Sequence, residues 1–298
     1  MSQAILIPGV SAFPCGGRRQ QGRLDPGRFA CEMQNTLVPP VSYKDAALEV
    51  LGKTVPKDEV GGDLVDLVSD GRNLIAYVAD VSGHGLRAGV LMGMAKAAMR
   101  YGLLLRQPLT RLLADISSVL GTLKEPNMYL TLAVLRFDGS KEVEYISAGH
   151  VPLLHYQQQK RRVIRRSMSQ FPLGLFAAAD YVSQRIPFNT GDIFALVTDG
   201  VVEVGQDRDA DSGFECVARI LQETPGHPLC EIAAAVLAEA QDHGVQQDDQ
   251  TVLLVRSAAD GDGGDRAQRL EKDVDNPQVR QATWRRLLDE LTVELKGE

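Results

Sequence analysis

The sequence predicts an α+β fold built mainly on antiparallel sheet. Three observations lead there. Strand-like runs come first, then two consecutive helical segments, then a series of short strands, then helices, which is not the alternation that builds a parallel sheet. Asp-Gly dipeptides at 70–71 and 138–139 separate apolar runs, a local signature of β-hairpins. Four short acidic signatures border such runs: Gly61-Gly62-Asp63, Asp80-Val81-Ser82-Gly83-His84-Gly85, Thr198-Asp199-Gly200 and Asp248-Asp249-Gln250-Thr251. A folded sheet aims carboxylates placed at its strand ends at one point.

The elements follow in order. Residues 1–28 are rich in Gly, Pro, Arg and Gln without periodicity and read as a flexible leader. Phe29, Met33 and Leu37 fall at helical spacing, and Pro39-Pro40 ends that helix. Strands are expected at 46–54, 64–69 and 73–80. The segment 86–105 is apolar nearly all round, which predicts a buried helix, and Pro108 opens a second helix through about 123. Further strands are expected at 128–137, 142–147, 152–156, 161–164, 181–187 and 193–197, helices at 213–222 and 229–241, and a last core strand at 251–256. Residues 257–275 are polar and Gly/Asp-rich, a linker. Residues 276–298 carry Trp284, Leu287, Leu288, Leu291 and Leu295 on one stripe of an amphipathic helix.

Composition narrows the class. The net charge of −7 opposes electrostatic binding of nucleic acid. No apolar run reaches the roughly 18 residues of a membrane span, and no signal peptide is visible. Cys15, Cys31, Cys216 and Cys230 lack metal-ligand spacing and read as reduced thiols in a cytoplasmic protein.

Clustered carboxylates repel. Two unit charges 4 Å apart interact by about 4 kcal/mol at an effective dielectric of 20. Divalent cations relieve that repulsion, and oxygen-only ligands select hard ions, Mg²⁺ or Mn²⁺, over Zn²⁺.

Seven stretches in order resemble the metal-dependent protein serine/threonine phosphatases, the PPM family, in the bacterial branch typified by SpoIIE and RsbU. They are residues 32–39, 60–63, 80–85, Ser147-Ala148-Gly149-His150-Val151-Pro152, Pro172-Leu173-Gly174-Leu175, Gly191-Asp192 through Gly200, and 248–251. The resemblance covers about residues 29–256. It implies a four-layer αββα sandwich of two mainly antiparallel sheets flanked by helices. It also implies two Mn²⁺ or Mg²⁺ ions. Asp80 is the bridging carboxylate, the Val81 carbonyl contacts one ion, Asp199 and Asp248 hold the other, and Asp63 binds through water. Asp80, Asp199 and Asp248 are then the catalytic set, acting through a metal-activated water.

Other residues have competing readings. Asp66 is assigned to a solvent-facing strand position, and Asp249 is ambiguous, its neighbour Asp248 being the better match. His84 is either a general acid or a structural loop histidine. His150 and Ser82 read as structural, since no base stands beside Ser82 in a triad pattern. Arg161, Arg162, Arg165 and Arg166 form a basic hairpin, either a phosphoprotein contact or a solvated strand edge.

The resemblance implies hydrolysis of phosphoserine or phosphothreonine on a protein, a STAS-type anti-anti-sigma factor. The alternatives are a non-catalytic phosphatase-fold scaffold and a hydrolase of small phosphate esters. A regulatory partner or a homodimer through the terminal helices is expected, with no nucleic-acid or membrane partner.

Overall fold

The computed structural model describes residues 36–258 apart from 70, 71, 126, 177, 204–209 and 243. The leader, most of the helix expected around Met33, and the C-terminal helix lie outside the described residues. Of that first helix only 36–37 are described, and Leu37 packs on the core.

The described residues form eleven strands: β1 Val41–Lys44, β2 Leu48–Val55, β3 Leu64–Ser69, β4 Leu74–Val81, β5 Leu130–Phe137, β6 Glu142–Ala148, β7 Leu153–Gln157, β8 Arg162–Arg166, β9 Gln184–Pro187, β10 Ile193–Val197 and β11 Gln250–Ser257. Five helices are described: α1 Leu86–Leu104, α2 Leu109–Leu123, α3 Asp199–Val202, α4 Ala210–Glu223 and α5 Leu229–Asp242. One sheet runs β1-β2-β11-β10-β7-β8 and the other β3-β4-β5-β6-β9. Every strand pair in both is antiparallel.

The layers follow from side-chain alternation. In β10, Phe194 and Leu196 face the inter-sheet core, while Ile193, Ala195 and Val197 face the helices α3, α4 and α5. Leu253 and Val255 of β11 point inward, and Val252 and Leu254 outward. Phe137, Phe188 and Phe194 meet edge to face within the inter-sheet core, at centroid distances of 5.8–6.0 Å. The helices α1 and α2 cover the other sheet, which completes an αββα sandwich. No helix among the described residues is long and apolar enough to cross a membrane.

The structure corrects several expectations. A strand not expected at 41–44 pairs with β2, because the Asp45 carboxylate accepts from the Ala47 and Leu48 amides and closes a hairpin. The strand expected over 181–187 begins only at Gln184, since the Val182 amide is already taken by the Gln170 side chain. The segment 86–105 is an outer-layer helix. It buries Ala88, Leu91, Met92, Ala95 and Met99, while Leu86, Val90, Tyr101 and Leu104 are exposed.

Asp66 is buried rather than solvent-facing. Its carboxylate takes both Nε and Nη2 of Arg100 at 2.8 Å, the Tyr77 hydroxyl at 2.7 Å and Lys96 at 3.5 Å. This network ties β3 and β4 to α1. Burial alone would raise the Asp66 pKa, but Arg100, Lys96 and Tyr77 outweigh it and hold the carboxyl below its usual range.

Candidate active site

Strand register gathers the acidic signatures. Leu64 pairs with Ala79 and Asp80 with Thr131, so Asp63, one residue before β3, stands opposite Asp80. Val197 pairs with Val252 in the other sheet, so Asp199 just after β10 and Asp248 just before β11 emerge at the same end. Both sheets thus deliver their carboxylates to one edge of the sandwich.

Asp80 and Asp199 line a cleft of about 400 Å³ together with Thr131, His150, Pro172 and Glu203. Burial, then the charges of Asp199, Asp248 and Asp249, push the Asp80 carboxyl up to about 8. Burial, then Asp248 and Glu203, push Asp199 up to about 6. Asp248 is half-buried, and its Oδ1 accepts from the Asp249 amide at 2.8 Å. The Gln246 side chain pins that loop by donating to the carbonyls of Val55 and Asp248.

Asp63 is buried and is not among the cleft-lining residues. It accepts from Thr198 Oγ1 at 2.9 Å and Thr251 Oγ1 at 2.5 Å, and hydrogen-bonds the Asp80 carboxyl. Burial, Asp80 and Asp249 raise its pKa well above the usual range.

Asp249 holds the first signature loop. Its Oδ1 accepts from the Lys57 amide at 2.8 Å, and its Oδ2 from the amides of Gly62 at 2.7 Å and Asp63 at 3.3 Å. A Cβ on Gly61 would stand 2.3 Å from that carboxylate, which is why the loop carries glycine there. The Val81 carbonyl lies 3.0 Å from where a Cβ on Gly62 would sit.

The tightest approach is at Gly200, where a Cβ would fall 2.1 Å from the Asp249 carbonyl. Backbone cannot yield as a flexible side chain can. Gly200→Ala is therefore expected to part the Asp199 and Asp248 loops, lowering stability by about 1–3 kcal/mol and weakening Mn²⁺ binding. Calorimetric titration with Mn²⁺ checks this; a folded variant that binds as the parent does would show the approach to be slack.

His150 braces the two sheets. Its Nε2 lies 3.0 Å from the Val197 carbonyl, which can only accept, so this nitrogen carries the proton. Nδ1 then accepts from the Thr131 hydroxyl at 2.8 Å. Burial pushes the imidazole down to about 4, so it is neutral. His84 instead faces outward to Asp58 at 3.1 Å, with both side chains largely exposed. Ser82 ties its loop to Tyr129, accepting from the Tyr129 amide at 2.9 Å. None of residues 83–86 is among those lining the cleft. In the basic hairpin, Arg165 pairs with Asp211 and lies 5.0 Å over the Phe214 ring, while Arg166 approaches buried His155. Asp192, from another matched stretch, fixes His155 and the amides of Gln158 and Asn189.

The donor set fits hard divalent ions. Burial and their mutual repulsion hold three of the carboxyls, Asp63, Asp80 and Asp199, above their ordinary range. Among the described residues, no three His, Cys, Asp or Glu side chains form a ligand group for a single ion. Ions here would complete their shells with backbone carbonyl and water, as suits Mg²⁺, which keeps several waters.

Thr198, Thr251, Thr131 and Glu203 were not singled out from the sequence. Both Asp63-binding threonines lie inside the acidic signatures, so their position was a usable signal. Thr131 and Glu203 had none.

The family model for stage II sporulation protein E (SpoIIE) matches residues 70–258. Phosphoserine phosphatase RsbU of Bacillus subtilis is 27% identical over 180 residues, 59% of this chain and 52% of that protein. The chain thus spans about half the length of this relative. The solved RsbU and RsbW domains of a Mycobacterium tuberculosis protein superpose with a TM-score of 0.65 at 22% identity, covering 74% of this chain and 62% of that one. The catalytic domain of the serine/threonine phosphatase PstP, solved with two manganese ions, gives 0.55 at 15% identity, covering 71% and 99%. With a match that takes in β4 through β11, the chain belongs to the SpoIIE family.

Proposed function

We propose that this chain is a Mn²⁺- or Mg²⁺-dependent phosphatase that removes phosphate from phosphoserine or phosphothreonine of a protein. One observation carries the reading: carboxylates from both sheets, Asp80 at the end of β4 and Asp199 after β10, converge on one open cleft, with Asp248 near enough for its charge to act on both. Two bound ions would lower the pKa of a water between them and offset charge on the phosphate in flight. In this reading Asp80, the Val81 carbonyl, Asp199 and Asp248 would hold the ions, with Asp80 as the carboxylate they share. Asp63 stands one layer out. Its two threonine hydroxyls fix its position, and its hydrogen bond fixes Asp80. Asp249 and Gln246 set the loops, and neutral His150 holds the Thr131 wall against β10.

No cysteine or serine lines the cleft among the described residues, and in this reading the chain's own groups orient while water attacks. The substrate we favour is a serine-phosphorylated STAS-type anti-anti-sigma protein. The SpoIIE/RsbU-like branch supports that class, and the M. tuberculosis structure carries RsbU and RsbW domains in one chain.

The test is hydrolysis of p-nitrophenyl phosphate in Mn²⁺ against EDTA, followed by release of phosphate from the phosphorylated STAS protein. Activity in Mn²⁺ and its loss in EDTA are expected. A folded protein that neither binds Mn²⁺ nor turns over either substrate would sink the proposal in favour of a scaffold.

A further inference from the structure

The segment between β8 and β9 passes along the cleft, and its backbone is held at three places. The Gln170 side chain donates to the carbonyls of Ser147 at 2.9 Å and Val182 at 3.0 Å, and accepts from the Val182 amide at 2.6 Å. Leu173 exchanges both backbone hydrogen bonds with Leu130, at 2.8 and 3.1 Å. Ser117 Oγ accepts from the Gly174 amide at 3.0 Å and the Tyr181 hydroxyl at 3.3 Å. Leu173 and Tyr181 supply the segment's buried apolar anchors.

A segment fastened this way does not need further apolar side chains for its own stability. It nevertheless presents Phe171 at 57%, Leu175 at 42%, Phe176 at 48% and Val182 at 62% exposure. The Phe171 and Phe176 rings meet edge to face at 4.7 Å, so each limits the other's rotation. Leu175 lines the cleft with Tyr129 and precedes Phe176 in the chain, so the exposed aromatic pair adjoins the cleft. Phe171, Phe176 and Val182 do not line the cleft. A small phosphate ester seated beside Asp80 and Asp199 would use none of them.

We propose that Phe171 and Phe176, with Leu175 and Val182, are a docking platform for the phosphoprotein substrate. It takes an apolar surface patch beside the phosphorylated residue and so selects proteins over small phosphate esters. This rests on the phosphatase reading above. Contiguous exposed apolar surface at a cleft marks an interaction site. Aromatic side chains on a fixed backbone lose little freedom when a partner covers them.

The test compares wild type, Phe171→Ser/Phe176→Ser and Val182→Lys. Substrates are p-nitrophenyl phosphate and a serine-phosphorylated STAS protein, both with Mn²⁺. For both variants, turnover of p-nitrophenyl phosphate should stay within twofold. KM for the phosphoprotein should rise at least tenfold in the double variant and severalfold in Val182→Lys, with kcat nearly unchanged. Unchanged phosphoprotein kinetics overturn the platform and leave the phosphatase reading intact. An equal loss on both substrates in either variant, with unfolding transitions preserved, overturns it in favour of a structural support for the cleft. A dimer that sedimentation shows to dissociate in the variants, with phosphoprotein KM unchanged, overturns it in favour of a self-interface. Wild type inert toward both substrates overturns the phosphatase reading and this inference with it.

Discussion

Asp80→Asn is expected to abolish metal-dependent hydrolysis and, at the same time, to stabilise the metal-free fold. The two effects share one cause. Asp80 is half-buried at the meeting point of Asp63, Asp199, Asp248 and Asp249, and its carboxyl is pushed up to about 8 by desolvation and then by the charges of Asp199, Asp248 and Asp249. A divalent ion converts that repulsion into binding. Without it, the folded state holds protons that the unfolded chain releases near pH 4. The folded state therefore binds more protons than the unfolded one between about pH 4 and 8, so stability falls as pH rises through that window. Asparagine removes the charge at similar volume. In EDTA at pH 7.5 the variant should melt higher than wild type, with a shallower loss of stability toward alkaline pH. Saturating Mn²⁺ should raise the wild-type Tm and leave the variant nearly unmoved. Turnover of p-nitrophenyl phosphate should drop by about a thousandfold or more, since metal catalysis supplies several kcal/mol and 1.4 kcal/mol is tenfold in rate. A variant that melts lower than wild type in EDTA would show that the carboxylate cluster is not strained. One that keeps a tenth of the activity would remove Asp80 from the bridging role.

Asp66→Ala carries the largest stability effect. The residue lies on the strand that begins one position after Asp63, yet it is outside the cleft. It neutralises Arg100 and Lys96 at the interface of the β3–β4 hairpin with α1, and it takes the Tyr77 hydroxyl. Removing one partner of such a buried pair leaves the other uncompensated, at about 3–5 kcal/mol. At roughly 2–4 °C per kcal/mol for a domain of this size, Tm should fall by about 10 °C. Mn²⁺-supported turnover should survive below the new transition. Melting within 2 °C of wild type would mean that water replaces the carboxylate, and that the network adds specificity rather than stability.

How much of this was legible beforehand varied with the kind of signal. Strands β3 to β6 and β10 to β11 announced themselves as apolar runs with turn residues between them, because strands covered on both faces bury every side chain. The short strand β1 did not, since its boundary depends on Asp45 capping a turn, and one aspartate in a polar stretch carries little weight. For α1 the pattern misled. A helix apolar all round reads as buried, but only one face of it meets the sheet, and the other is left exposed. Asp66 misled in the opposite direction. Its neutralising partners lie on α1, 30 and 34 residues further along, and no local pattern links them.

The sequence by itself determined the strand-and-helix order from β2 onward, the family, and the identity of the acidic signatures, because each rests on short stretches whose residue types are constrained where they stand. Tertiary structure alone decided what those residues do for one another. Strand register put Asp63 opposite Asp80 in one sheet and Asp199 and Asp248 at the same end of the other. Backbone amides took up the Asp249 carboxylate, while Asp80 and Asp199 were left facing the cleft. Two neighbouring aspartates, Asp248 and Asp249, are chemically the same in the sequence. Burial and hydrogen-bond partners, which exist only once distant segments meet, give them different work.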